Sequence, residues 1–144
     1  MIEQDTIKLL RECDAGVKMG VDSIDDVLDK VESKGLKNYL ETCRNAHETL
    51  DDEIQELLIC YDDDGKEPSA VSKGMSWMKT NAKLMLDTSD ATIADLMTDG
   101  CNMGVKSLSR YLNQYKAADE QSKDIAKRLI NLEERLAIDI RPYL

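Results

Sequence analysis

Apolar side chains recur along this chain in steps of three and four, the spacing that places them on one face of an α-helix. Leu10, Val17, Val21, Ile24, Leu28 and Val31 form the first such stripe, which predicts a helix capped at Asp5 or Thr6 and running to about Val31. Ser33 to Gly35 interrupt it. Leu36, Leu40, Cys43, His47, Leu50, Ile54, Leu57 and Tyr61 resume the same rule, so a second helix is expected to return antiparallel beside the first. Asp62, Asp63, Asp64, Gly65, Lys66, Glu67 and Pro68 then make a break that no bundle helix crosses, because glycine, proline and adjacent like charges all oppose it. Residues 71–86, with Trp77, Met78, Leu84, Met85 and Leu86, read as a short amphipathic helix inside a long crossover.

Thr88, Ser89 and Asp90 offer cap chemistry for a third helix to about Tyr115, with Ile93, Met97, Gly100, Gly104, Leu108, Tyr111 and Tyr115 on one face. A last helix is expected over residues 119–140, with Ile125, Leu129, Leu132, Leu136 and Ile140 inward and Pro142 as its stop. The pattern therefore predicts one all-α domain over residues 1–144, an antiparallel four-helix bundle. Hairpin one covers about 5–61, the crossover about 62–89 and hairpin two about 90–141.

The two hairpins are related to each other. Gly16, Met19, Gly20, Val21, Ser23 and Ile24 recur 84 residues later as Gly100, Met103, Gly104, Val105, Ser107 and Leu108, and Asn45, Glu48, Leu50 and Ile54 recur 86 residues later as Asn131, Glu134, Leu136 and Ile140. A two-residue change in one connection reconciles the shifts. Each interior helical glycine costs ~1 kcal/mol relative to alanine, so Gly20 and Gly104 need a packing reason. The expected one is close approach of helices one and three near a pseudo-twofold axis.

Composition narrows the function classes. Hydrophobic residues make up 42% but aromatics only 4%, with no Phe, so the interior must be filled by Leu, Ile, Val, Met and Ala. A formal charge of -10 sets nucleic acid and anionic membrane surfaces aside as partners, because both are repelled. No apolar run approaches the ~18 residues of a membrane span, and the start Met1-Ile2-Glu3-Gln4-Asp5 has neither the basic nor the apolar part of a secretory signal. Cys13, Cys43, Cys60 and Cys101 are scattered singly without a CxxC pair, three of them on apolar faces. A cytoplasmic location is the expectation.

Three short stretches carry a family likeness: Asp14-Ala15-Gly16-Val17-Lys18-Met19-Gly20, Gly74-Met75-Ser76-Trp77-Met78-Lys79, and Asp99-Gly100-Cys101-Asn102-Met103-Gly104. Through them the chain resembles, over nearly its whole length, an uncharacterised bacterial family of the ferritin-like superfamily, distantly related to rubrerythrin. That resemblance implies a ferritin-like bundle of two hairpins with a tryptophan-bearing crossover, and family habit implies a homodimer.

A di-iron bundle needs about six inward ligands, a Glu from each of two helices and a Glu-x-x-His unit from each of the others. The corresponding positions here hold Lys18 on the first helix and Cys101-Asn102 on the third. On the second, Arg44 stands three residues before His47, and on the fourth Ile130 stands three before Glu133. Only His47 and Glu133 survive as ligand types. The expectation is a bundle without a complete di-iron site or other cofactor, serving as a binding or interaction module rather than an enzyme. The alternative is a metal-binding oxidoreductase or metal-handling protein with iron or manganese on a rearranged site drawn from His47, Glu133, Asp14 and Glu48.

Without metal, His47 reads as a half-buried histidine bonded to Glu133 or Glu134 across the bundle and thereby easier to protonate. Asp14 reads as a flanking carboxylate that answers Lys18 or Arg44. A single histidine leaves little for a hydrolytic triad, and no nucleophile elbow accompanies it. The run from Asp62 to Gly65 lacks the alternating ligands of a calcium loop. Trp77 with Met75, Met78 and Met85 is expected to form a lid over one end of the bundle.

Overall fold

The computed structural model describes residues 2–66 and 89–144, and their side chains from Glu3 onward. The expected crossover helix, the Trp77 lid and the stretch Gly74 to Lys79 lie outside those residues. Within them the architecture is all-α: α1 (Ile2–Leu28), α2 (Lys34–Cys60), α3 (Asp90–Gln114), α4 (Glu120–Asp139) and a closing 3-10 turn (Arg141–Tyr143). Three of the starts are set by capping side chains. Ser33 accepts from the Leu36 amide, Ser89 from the Thr92 amide and Asp119 from the Ser122 amide, each satisfying a backbone donor that the first turn leaves unpaired. The first helix begins before the expected Asp5 or Thr6 cap and stops at Leu28 rather than Val31.

The order of directions follows from contacts at the helix ends. Arg11 near the start of α1 pairs with Asp63 just past α2, so α1 and α2 run antiparallel. The turn after α1 donates from the Glu32 and Ser33 amides to the Asp90 carboxylate at the start of α3, both at 2.9 Å. Asp119, the cap of α4, donates its amide to Thr6 Oγ1 at 2.8 Å. So α1 and α4 point one way and α2 and α3 the other. The last residue of α2 and the first of α3 therefore lie at opposite ends of the bundle, and residues 61–89 join them. α1 packs on all three other helices, and α4 on α2 and α3.

Two apolar clusters form the core. One gathers Ile24, Val27, Leu36, Leu40, Cys43, Ile93, Met97, Cys101, Leu136 and Ile140; the other gathers Leu9, Leu10, Cys13, Val17, Leu50, Ile54, Leu58, Leu108, Ile125 and Leu129. The stripes read from the sequence are corrected in detail. Leu58 rather than Leu57 closes the α2 face, Leu132 is only half-buried, and Cys101 points inward where Gly100 was expected. Gly100 is exposed, and a Cβ added there meets nothing within 4 Å. No helix among the described residues is long and apolar enough to cross a membrane.

Candidate functional site

Between the two clusters lies a layer to which each helix contributes one residue. On α1 it separates Val17 from Ile24, on α2 Cys43 from Leu50, on α3 Cys101 from Leu108 and on α4 Leu129 from Leu136. Each pair is seven residues apart, two helical turns, so both flanking residues face inward and so does the position midway. Those midway residues are Gly20, His47, Gly104 and Glu133.

His47 is 1% exposed and Glu133 8%. The imidazole Nδ1–H donates to the Cys43 carbonyl one turn back at 2.7 Å, and Nε2 lies 2.6 Å from Glu133 Oε1. Since a carbonyl only accepts, Nδ1 must carry a proton. Nε2 and Glu133 Oε1 hold one further proton between them, so the two side chains form a single buried hydrogen-bonded pair. Burial works against the charged ring, but the hydrogen bond and charge of Glu133, with the Cys43 carbonyl, outweigh it and raise the His47 pKa above 6.5. The Cys101 thiol also turns to Glu133, and burial together with that charge pushes its pKa up; burial raises Cys43 as well. Both thiols stay protonated at neutral pH.

The two glycines make room for this pair. A Cβ on Gly20 stands 2.9 Å from His47 Cδ2 and 3.0 Å from Nε2, while on Gly104 it stands 3.5 Å from Glu133 Oε2. The expectation that they exist for helix-to-helix approach is therefore corrected. What comes close is a buried ring and a carboxylate, and the missing methyl groups are the space those side chains occupy.

The other residues considered as ligands are placed elsewhere. Glu48, 49% exposed at its side chain, pairs with Arg44 at 3.3 Å, and Arg44 also bonds Asp25 at the surface. Asp14 is fully buried, but in the seam between α1 and α2. Its carboxylate accepts from Lys18 Nζ at 3.0 Å, Gln55 Nε2 at 2.6 Å and the Lys66 amide at 2.9 Å. It thus answers Lys18, as expected, and not Arg44. Glu134 is exposed, which leaves Glu133 as the partner of His47, and that histidine is buried rather than half-buried.

Sequence reasoning missed the neighbour of Asp14. Asp51, one turn after His47 on α2, has its pKa pushed up to about 7 by burial first and then by the hydrogen bond and charge of Asp14, against the opposing charge of Lys18. Asp51 Oδ1 is buried without a hydrogen-bond partner. The only clue in the sequence was that 51 follows 47 by four, which keeps both residues near the same seam.

Among the described residues, no group of three or more His, Cys, Asp or Glu side chains is arranged to hold a metal ion. The middle layer offers one imidazole and one carboxylate, already bonded to each other, beside two protonated thiols. That donor set does not fit a carboxylate-bridged pair of cations, which needs several acids to neutralise and bridge the ions. The chain matches no protein-family model, no curated protein and no solved structure.

Proposed function

We propose that the chain is a ferritin-like four-helix bundle whose metal-bearing layer has been replaced by a buried hydrogen-bonded pair, and that it serves as a binding or interaction module, assembled as a homodimer. The up-down-down-up order of the helices supports the fold half of this reading, because it requires one long connection along the bundle. Residues matched by the 84- and 86-residue shifts, Gly20 with Gly104 and His47 with Glu133, share one layer midway along the helices.

The observation that carries the functional half is the commitment of both His47 nitrogens, one to the Cys43 carbonyl and one to Glu133. A metal can take this imidazole only by displacing Glu133 from it or the backbone from its other side. The chain has one histidine, so no second imidazole is left for acid–base chemistry near neutral pH. Elemental analysis of protein produced with iron and manganese present tests the reading. The expected result is metal far below one ion per chain. Stoichiometric metal that disappears in His47→Ala overturns it in favour of a metal-handling protein.

A further inference from the structure

The loop after α2 is fastened to α1 by three ties. Asp63 pairs with Arg11, Lys66 Nζ bonds Glu12, and the Lys66 amide donates to Asp14 Oδ2 at 2.9 Å. Within the loop the Gly65 amide donates to Asp63 Oδ2 at 2.9 Å. Gly65 takes a φ of +84°, and a Cβ added to it would collide with Asp14 Oδ2. The loop backbone therefore lies directly on that carboxylate, with no space left between them.

Asp14 is fully buried, and its donors come from three elements: Lys18 of α1, Gln55 of α2 and the loop amide. Its further neighbour is Asp51 of α2, whose Oδ1 is buried without a partner. Carrying a proton, Asp51 donates to Asp14 and both carboxyls are satisfied. Ionised, it sets a second negative charge against an acceptor. Asp14 has little room to withdraw, because the Gly65 backbone already lies against it. Lys18 and Asp52 act on Asp51 in opposite senses, and burial with Asp14 pushes its pKa up to about 7. Around the lid stand Arg11 and Glu12 of α1, with Tyr111 of α3 bonded to Glu12. On α2, His47 one turn before Asp51 is bonded to Glu133 of α4, and Glu53 pairs with Arg128 of α4 at the surface.

We propose that residues 63–66 form a proton-operated lid, which stays closed on α1 while Asp51 carries a proton and loosens when Asp51 ionises against Asp14. The linkage is reciprocal. Closure keeps water from the two carboxyls and so holds the proton on Asp51, and loss of that proton disfavours closure by the same factor. Since the Asp51 pKa is raised in the closed state, opening grows as pH climbs from the ordinary carboxylate range, by at most about tenfold per unit, and levels off above about 7. The lid gives way before the helices do, because its hydrogen bonds at Gly65 and Lys66 are to side chains. The device does not rest on the middle layer, since Asp51 faces Asp14 rather than Glu133.

The test is amide hydrogen exchange of the full chain at Gly65 and Lys66, with the Asp51 titration followed by its carboxyl carbon shift. Protection at Lys66, corrected for the intrinsic pH dependence of exchange, is expected to fall roughly tenfold or more between about pH 5 and 7 and to be insensitive to low urea, as local opening requires. In Asp51→Asn, whose amide donates to Asp14 at every pH, protection should be high and constant. Gly65→Ala, which drives the lid off Asp14, is expected to lower protection throughout and to bring the Asp51 titration down toward the ordinary carboxylate range. Protection that does not vary with pH overturns the proposal. So does a variation that persists in Asp51→Asn, the sign that His47 is responsible, or an Asp51 titration unmoved by Gly65→Ala.

Discussion

Three glycine-to-alanine substitutions separate the possible reasons for glycine in these helices. Each removes the same helix-propensity penalty, ~1 kcal/mol in an interior position, so differences among them report on surroundings. At Gly100 nothing lies within 4 Å of the new methyl group, and the full gain of ~1 kcal/mol is expected. At Gly104 the methyl meets Glu133 atoms at 3.5 to 3.7 Å, ordinary contact, and the gain should shrink to a few tenths of that value. At Gly20 the methyl falls 2.9 Å from His47 Cδ2, closer than packed carbons tolerate. The ring cannot swing away freely, because both nitrogens are bonded.

Overpacking of this kind costs ~1–3 kcal/mol, and loss of the buried pair adds to it, so Gly20→Ala is expected to destabilise by ~1–2 kcal/mol net of the propensity gain. Urea denaturation followed by far-ultraviolet circular dichroism reads all three, provided the m-value stays constant. A second arm places Gly20→Ala in a His47→Ala background. There the obstructing ring is gone and the same methyl group is expected to be neutral or stabilising, a coupling of opposite sign to the single variant. If Gly20→Ala stabilises as much as Gly100→Ala, the ring does not fill that space and the account of the middle layer is wrong.

Breaking the buried pair on one side should be costly, while replacing both partners should not. His47→Ala is expected to lose ~3–5 kcal/mol because Glu133 is left as an unpaired buried charge, whereas the double change to His47→Leu and Glu133→Leu should recover most of that loss; a double variant no better than the single contradicts the desolvation argument. Stability should fall as pH rises through neutrality. The His47 pKa is raised above 6.5 in the folded state, so its contribution is complete below about 6.5 and is lost as pH climbs through the folded value. Asp51, raised from 3.8 to about 7, contributes fully below its unfolded value and loses that contribution by about pH 7. Asp51→Asn should therefore exceed the unsubstituted protein by ~1–2 kcal/mol well above neutrality, after screening by solvent and Lys18, with the gap closing toward pH ~4. Denaturant midpoints across pH check this, and a constant gap excludes a raised Asp51 pKa in the folded state. Sedimentation equilibrium at micromolar concentration is expected to show a dimer; a monomer removes the homodimer from the proposal.

Much of the bundle was legible because helical periodicity is a local property. Ser89, one of the cap residues expected before the third helix, acts as its cap, while Ser33 and Asp119, read only as a break and as a helix start, turn out to cap α2 and α4. Errors of face arose where small residues blurred the stripe. Gly100 and Cys101 are adjacent, and without a packing partner in view nothing in the local pattern selects which one turns inward. At the end of α2, Leu57 and Leu58 posed the same ambiguity.

The middle layer divides differently. The residue types at 20, 47, 104 and 133, and their spacing midway between apolar positions, are properties of the chain alone, and they were enough to pair His47 with a glutamate of α4. The sequence by itself also determined the four long helices and the acidic surface. Tertiary structure decided which glutamate meets His47, that the histidine is fully enclosed, and that the glycines clear space for its ring. It also placed Asp14 beside Asp51 and fastened the loop at Lys66 to α1. These depend on how helices remote in sequence are aligned axially, and a shift of one turn, ~5.4 Å, changes every such partner while leaving each helix's own periodicity intact.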